Sequence, residues 1–227
     1  MIYVLIDIDE TILSVPKGIN AKASSIMFKK VFGIDAHEEM IDNVGKTEMG
    51  IIPEVLEKVG LKTKDVPEKA YKVWGEATDE LLNKTPARVL PGIPEFLETL
   101  SNDPRIKLEL LTGNSPWRAE AKLKSVHLDK FFCNSDTKQL NGVFGNMTSK
   151  RDELFNIFKK QARFEDRFII VDDSIIGARM AKINNVLTIM VATGRATEEQ
   201  LKIFSANVFS NLGDNRWKTA ISIINKL

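Results

Sequence analysis

Cysteine is nearly absent from this chain. Cys133 is the only one in 227 residues, so no intramolecular disulfide can form and a reducing compartment is the expectation. Cys133 stands beside Phe131 and Phe132, which favours a small packed residue over a nucleophile. Histidine is almost as scarce: His37 and His127 are the two present, and they lack the spacing of a metal site. Trp74, Trp117 and Trp217 are scattered, so no platform for stacking bases is evident. An excess of charge is missing too. Lys and Arg total 32 against 31 Asp and Glu, a net charge of +1, which provides no global field for nucleic acid or an anionic membrane and leaves only a local basic pocket open. No apolar run approaches bilayer length. The first run, Ile2–Ile6, has no basic region before it and leads straight into Asp7 and Asp9, unlike a signal peptide. A cytoplasmic location is expected. There is no repeat, low-complexity tract or Ser/Gly-rich linker.

What is present is the profile of a globular protein, with 43% hydrophobic and 28% charged residues, at a length that suits a main domain carrying a smaller one. Segments 2–6, 106–111 and 168–171 have the length and β-branched content of buried parallel strands, and 186–192 is similar. Between them lie helical stretches at 92–101, 116–125, 151–160 and 174–183. Alternating strands and helices predict an α/β fold with a doubly wound, Rossmann-like parallel sheet covered on both faces. Residues 14–87 differ, carrying helical patterns at 24–31, 51–59 and 70–82 with no convincing strand. Ile52, Val55, Leu56 and Val59, for instance, recur at i, i+3, i+4 and i+7. Pro86 and then Pro91-Gly92 punctuate the return to the α/β pattern. The expected division is an α/β catalytic core of residues 1–13 and 88–227 with an inserted helical cap of residues 14–87.

The strand ends carry the chemistry. The first strand ends in Asp7-Ile8-Asp9-Glu10-Thr11, the second in Thr112-Gly113-Asn114 and the third in Asp172-Asp173-Ser174. Ligands of open parallel sheets bind beyond the carboxyl ends of the strands. Carboxylates gathered there repel one another unless a divalent cation neutralises them, and magnesium suits an all-oxygen site that also binds a substrate phosphate. Asp7 is then the candidate nucleophile, forming an acyl phosphate. Asp9 is the candidate to protonate the leaving oxygen and later deprotonate water. Thr112, Gly113 and Asn114 are candidate phosphoryl ligands. Lys150 and Arg151, opening a helix after the loop Gly142-Val143-Phe144-Gly145, are both candidates for the cation that phosphoryl transfer requires.

Asp7-Ile8-Asp9-Glu10-Thr11 resembles the first motif, DxDxT, of the haloacid dehalogenase superfamily. Leu110 to Asn114 and Ile170 to Asp173 are similar to its second and fourth motifs. Pro91-Gly92-Ile93 with Phe96-Leu97, and Val191-Ala192-Thr193-Gly194, resemble segments of its phosphoglycolate-phosphatase-like members. The resemblance implies a helical cap after the first motif and a magnesium ion held by Asp7, the backbone carbonyl of Asp9 and a fourth-motif carboxylate. By position that carboxylate is Asp173, with Asp172 a further ligand or a group behind it. Asp9 also implies a phosphatase, since dehalogenating members lack that second aspartate. Two departures stand out. Gly177 occupies a place where many relatives have Asp, and Lys150-Arg151 lacks the Pro that often follows the third-motif Lys. In a subgroup with a loop like Phe144-Gly145, an Arg falls where Arg151 is.

The expected function is magnesium-dependent hydrolysis of a small phosphate monoester, with a phosphoglycolate-like ester among the candidates. A sugar phosphomutase of the same superfamily is the enzymatic alternative, and a phospho-acceptor module that does not turn over is the alternative from another class. Receiver domains also combine an Asp pair, a Thr and a cation, but they are shorter and carry no helical insertion. Lys46, in Gly45-Lys46-Thr47 between two cap helices, is a candidate for an anionic group on the substrate. The expected partner is a small phosphorylated metabolite, without nucleic acid or membrane, for a monomer or homodimer.

Overall fold

Val4 and Ile6 point to one face of a sheet and Leu5 to the other, and all three are fully buried. A strand buried on both faces belongs in the middle of a parallel sheet. A computed structural model describing residues 1–63 and 65–227 places it there. Eight strands are described: β1 (Ile2–Ile6), β2 (Leu13–Ser14), β3 (Arg88–Val89), β4 (Ile106–Leu111), β5 (Gly142–Val143), β6 (Arg167–Asp172), β7 (Leu187–Val191) and β8 (Val208–Phe209). Six form one parallel sheet in the order β5-β4-β1-β6-β7-β8. The helices are α1 (Ile19–Phe32), α2 (Glu48–Lys58), α3 (Glu68–Lys84), α4 (Ile93–Ser101), α5 (Pro116–Lys124), α6 (Leu154–Lys159), α7 (Ile175–Ile183), α8 (Glu198–Lys202) and α9 (Arg216–Ile224). This is the doubly wound α/β fold with a helical cap.

Period-two alternation divides the core. Val4, Ile6, Leu108, Leu110, Ile169 and Val171 pack with Phe96 and Leu97 of α4, Leu123 of α5 and Ile224 of α9. Leu5, Leu111 and Ile170 pack on the opposite face with Phe155 and Phe158 of α6 and Met180 of α7. Helices α1, α2 and α3 build a separate cluster around Phe28, Ile52, Val55 and the fully buried Trp74. The chain enters and leaves that helical insertion through β2 and β3, which pair antiparallel with Leu13 opposite Val89 and Ser14 opposite Arg88.

Three features depart from the periodicity. The two-residue strands β5 and β8 extend the sheet at its edges, where the ladder rather than a hydrophobic run defines them. The helical stretch expected at 151–160 opens with a 3₁₀ turn, Arg151–Glu153, before α6 begins. The short pair β2 and β3 falls where no strand is expected. No described helix is long and apolar enough to cross a membrane.

Candidate active site

Parallel strands put their carboxyl tips on one edge, and the ladder continues just past them. The Asp7 N–H donates to the Val171 carbonyl at 3.0 Å, and the Thr112 N–H to the Val143 carbonyl at 3.1 Å. Edge strand β5 therefore fixes Thr112. After Asp7 the chain turns tightly, with Thr11 and Ile12 both donating to the Ile8 carbonyl and Glu10 at φ 54°, a left-handed conformation uncommon outside glycine. Among the described hydrogen bonds none ends on the Asp9 carbonyl oxygen.

Carboxylate oxygens of Asp7, Asp172 and Asp173 lie within 4.8 Å of one another, all buried. Arg151 reaches into this group, with Nη2 3.1 Å from Asp7 Oδ1 and 2.9 Å from Asp172 Oδ2. Asp172 also accepts bonds from the Ser174 N–H and Oγ, each at 2.7 Å. Three donors thus hold Asp172 behind Arg151. Asp173 accepts one side-chain bond, from Thr11 Oγ1 at 3.1 Å. Ser174, rather than either aspartate, caps α7 by accepting from the Gly177 N–H. Gly177 leaves room that no other residue would: a Cβ there would lie 2.1 Å from Asp172 Oδ2.

The electrostatics of the cluster favours a counter-charge among its carboxylates. Burial, opposed by Arg151 and reinforced by Asp172 and Asp9, pushes Asp7 up to about 6. Burial, then Asp172 and Asp7, raise Asp173 well above the usual carboxylate range. Such mutual repulsion is what a divalent cation relieves. The donors are all oxygens, including the free Asp9 carbonyl, which is the chemistry of a hard cation.

Asp9 is held differently. Lys122 Nζ donates to both of its oxygens at 2.7 Å, and Asn114 Nδ2 donates to one at 2.8 Å. Burial alone would raise the Asp9 carboxyl, but Lys122 and then Arg118 outweigh it and hold it low. Asn114 also donates to Thr112 Oγ1 at 2.8 Å and accepts from Lys122 at 2.8 Å. Its side chain is therefore a brace for Asp9, not the free phosphoryl donor expected.

Lys122 and Arg118 lie one turn apart on α5, which starts just past the β4 tip. Both are buried. Arg118 bridges to the helical insertion: Nη2 lies 3.0 Å from Glu38 Oε1 and 2.9 Å from Asn20 Oδ1, and Nη1 lies 3.3 Å from Glu48 Oε1. Glu38 and Glu48 are buried as well. The first N–H groups of α2 complete the docking, Glu48 donating to the Gly113 carbonyl and Met49 to the Gly145 carbonyl, each at 2.9 Å. A helix's first N–H groups have no partner within the helix, and here core loops supply them. Gly113 permits the contact, because a Cβ would come within 2.2 Å of the Lys46 carbonyl oxygen.

Two expected cations stand elsewhere. Lys150 is a correction: its side chain is 75% exposed, with Nζ 3.6 Å from Glu153, because Lys150 is still extended before the 3₁₀ turn, whereas Arg151 opens that turn and is buried. Lys46 lines the cleft, but its ammonium is bound by both oxygens of Glu54 at 2.8 and 2.6 Å. Lys122, Arg118, Glu38 and Glu48 were not singled out from the sequence. The readable signal for the first two was their i, i+4 spacing on the helix that follows Asn114.

The family model for haloacid dehalogenase-like hydrolases matches residues 3–183. A comparison with curated proteins gives no match. Among solved structures, the chain is similar to CbbY from Rhodobacter sphaeroides in complex with phosphate, at 17% identity and TM-score 0.66 over 93% of this chain and 95% of that one. It is also similar to a putative phosphatase from Clostridium difficile, at 21% identity and TM-score 0.59 over 98% and 97%. A putative beta-phosphoglucomutase from Thermotoga maritima aligns at 19% identity and TM-score 0.57 over 98% and 99%. At these identities the likeness is one of fold.

Proposed function

Because the chain belongs to the haloacid dehalogenase-like hydrolases, we propose that it is a magnesium-dependent phosphatase acting on a small phosphate monoester through an aspartyl phosphate on Asp7. The observation that carries this reading is the carboxylate group of Asp7, Asp172 and Asp173 with the Arg151 guanidinium 3.1 Å from Asp7. Magnesium, held by Asp7, Asp173 and the Asp9 carbonyl, would neutralise these carboxylates and the phosphate together.

The chain's own residues account for the rest. An Asp7 oxygen attacks phosphorus, and the bond to the leaving oxygen breaks as that oxygen takes a proton through Asp9, which is ionised beside Lys122 and draws that proton from the Lys122 ammonium. Water then attacks the acyl phosphate, giving its proton to Asp9 and releasing Asp7. Lys122 and Asn114 hold Asp9 in place for both steps, and Lys122 is the other proton-bearing group at 2.7 Å from it. Arg151, braced by Asp172, stabilises charge on the transferring phosphoryl group. Thr112 and the Gly113 backbone bind its oxygens. Residues 14–87 form the cap and exclude water from the acyl phosphate, with the core at 1–13 and 88–227.

Asp7→Asn should abolish phosphate release from a generic aryl phosphate while the far-ultraviolet circular dichroism stays unchanged. Chelation should stop the unaltered enzyme, and magnesium should restore it. Full turnover by Asp7→Asn would refute the nucleophile assignment.

A further inference from the structure

The charges around the cleft bear on what the phosphate is attached to. The cavity holds about 180 Å³, below the roughly 300–1,000 Å³ usual for ligand pockets. Among the described residues five cations line it, Lys46, Arg118, Lys122, Arg151 and Arg195, and each already faces a carboxylate. Lys122 holds Asp9. Arg151 holds Asp7 and Asp172. Lys46 holds Glu54, and Arg195 lies 3.8 Å from Asp42. Arg118 stands between two buried carboxylates, Glu38 and Glu48, and its remaining donor, Nε–H, is enclosed and unpartnered. Glu10 adds another carboxylate to the lining.

The leaving oxygen must sit at Asp9. Next to Asp9 is Lys122, and one helical turn before Lys122 is Arg118 with its two glutamates. A short leaving group therefore extends toward a wall that is net negative, where each lining cation among the described residues is already paired. We infer that the leaving group is uncharged or cationic, a small hydroxylated or amine-bearing alcohol, and carries neither a carboxylate nor a second phosphate. This rests on the phosphatase reading. Glu38 and Glu48 in a buried wall repel a further anion, whereas hydroxyl and ammonium groups donate to carboxylates. The pairs of Lys46 and Arg195 lie nearer solvent, where ion pairs are weak and exchangeable. Only an anion on a leaving group long enough to reach these pairs would compete for their cations.

The test is kcat/KM, with magnesium, for 2-hydroxyethyl phosphate, 2-aminoethyl phosphate and phosphoglycolate, alongside a generic aryl phosphate. The first two esters should exceed phosphoglycolate by roughly tenfold or more. Glu48→Gln should narrow that gap, and Glu38→Gln provides the same measurement if the first variant does not fold. Phosphoglycolate turned over as well as its partners, all three inert while the aryl ester reacts, or a gap unchanged in the glutamate variants would overturn the inference. No turnover of any ester, the aryl one included, would instead overturn the phosphatase reading and this inference with it.

Discussion

Replacing Arg118 with methionine tests the buried network most directly. The guanidinium is 4% exposed and its partners Glu38 and Glu48 are 3% and 1% exposed, so water cannot take its place. Removing one partner of such a pair costs about 3–5 kcal/mol. Loss of its position 4.3 Å above the Trp74 ring adds up to about 2 kcal/mol. Proton uptake by the stranded carboxylates offsets part of this, so a net loss of about 3–5 kcal/mol is expected, a large share of a stability of about 5–15 kcal/mol. For a chain of this size that lowers Tm by about 6–20 °C. The offset gives the loss a pH signature. Burial already raises the Glu48 carboxyl against the pull of Arg118, and without Arg118 it rises further. A group raised in the folded state contributes fully below its unfolded value, near pH 4, and that contribution disappears as pH climbs through the folded value. The variant should therefore fall further behind the parent at pH 8 than at pH 5. Urea midpoints at both pH values measure this. A loss below about 1 kcal/mol, or one equal at both pH values, would refute a buried ion network tying α5 to the insertion.

Three further outcomes follow from the site. Lys122→Met removes the ammonium bound to both Asp9 oxygens and should lower kcat by roughly tenfold or more with a smaller change in KM, while Lys122→Arg recovers part of it; steady-state kinetics decide. Arg151→Ala should lose roughly a hundredfold in kcat and Lys150→Ala almost nothing, so equal losses would contradict the orientation of the 3₁₀ turn. Without metal, Asp7 titrates at about 6 against 3.8 in the unfolded chain, so stability should fall by up to about 3 kcal/mol between about pH 4 and pH 7. Magnesium should flatten that slope, and thermal melts with and without it provide the check.

Much of this protein can be read along the chain. The central strands, most helices and the carboxylates at the strand tips are local facts: a run such as Ile2–Ile6 is buried on both faces because its composition leaves no alternative, and Asp7, Thr112 and Asp173 follow strands whose parallel order puts their ends together. What tertiary structure alone decided is which charges meet. Lys122 lies 113 residues from Asp9, and Arg118 lies 80 from Glu38; in sequence each looks like a solvated helix charge. Lys150 and Arg151 are adjacent and chemically alike, yet one faces solvent and the other faces Asp7. Hydrophobic periodicity reports which side of an element is buried. The pairing of buried ions depends on distances across elements, and those exist only once the helical insertion is docked on α5.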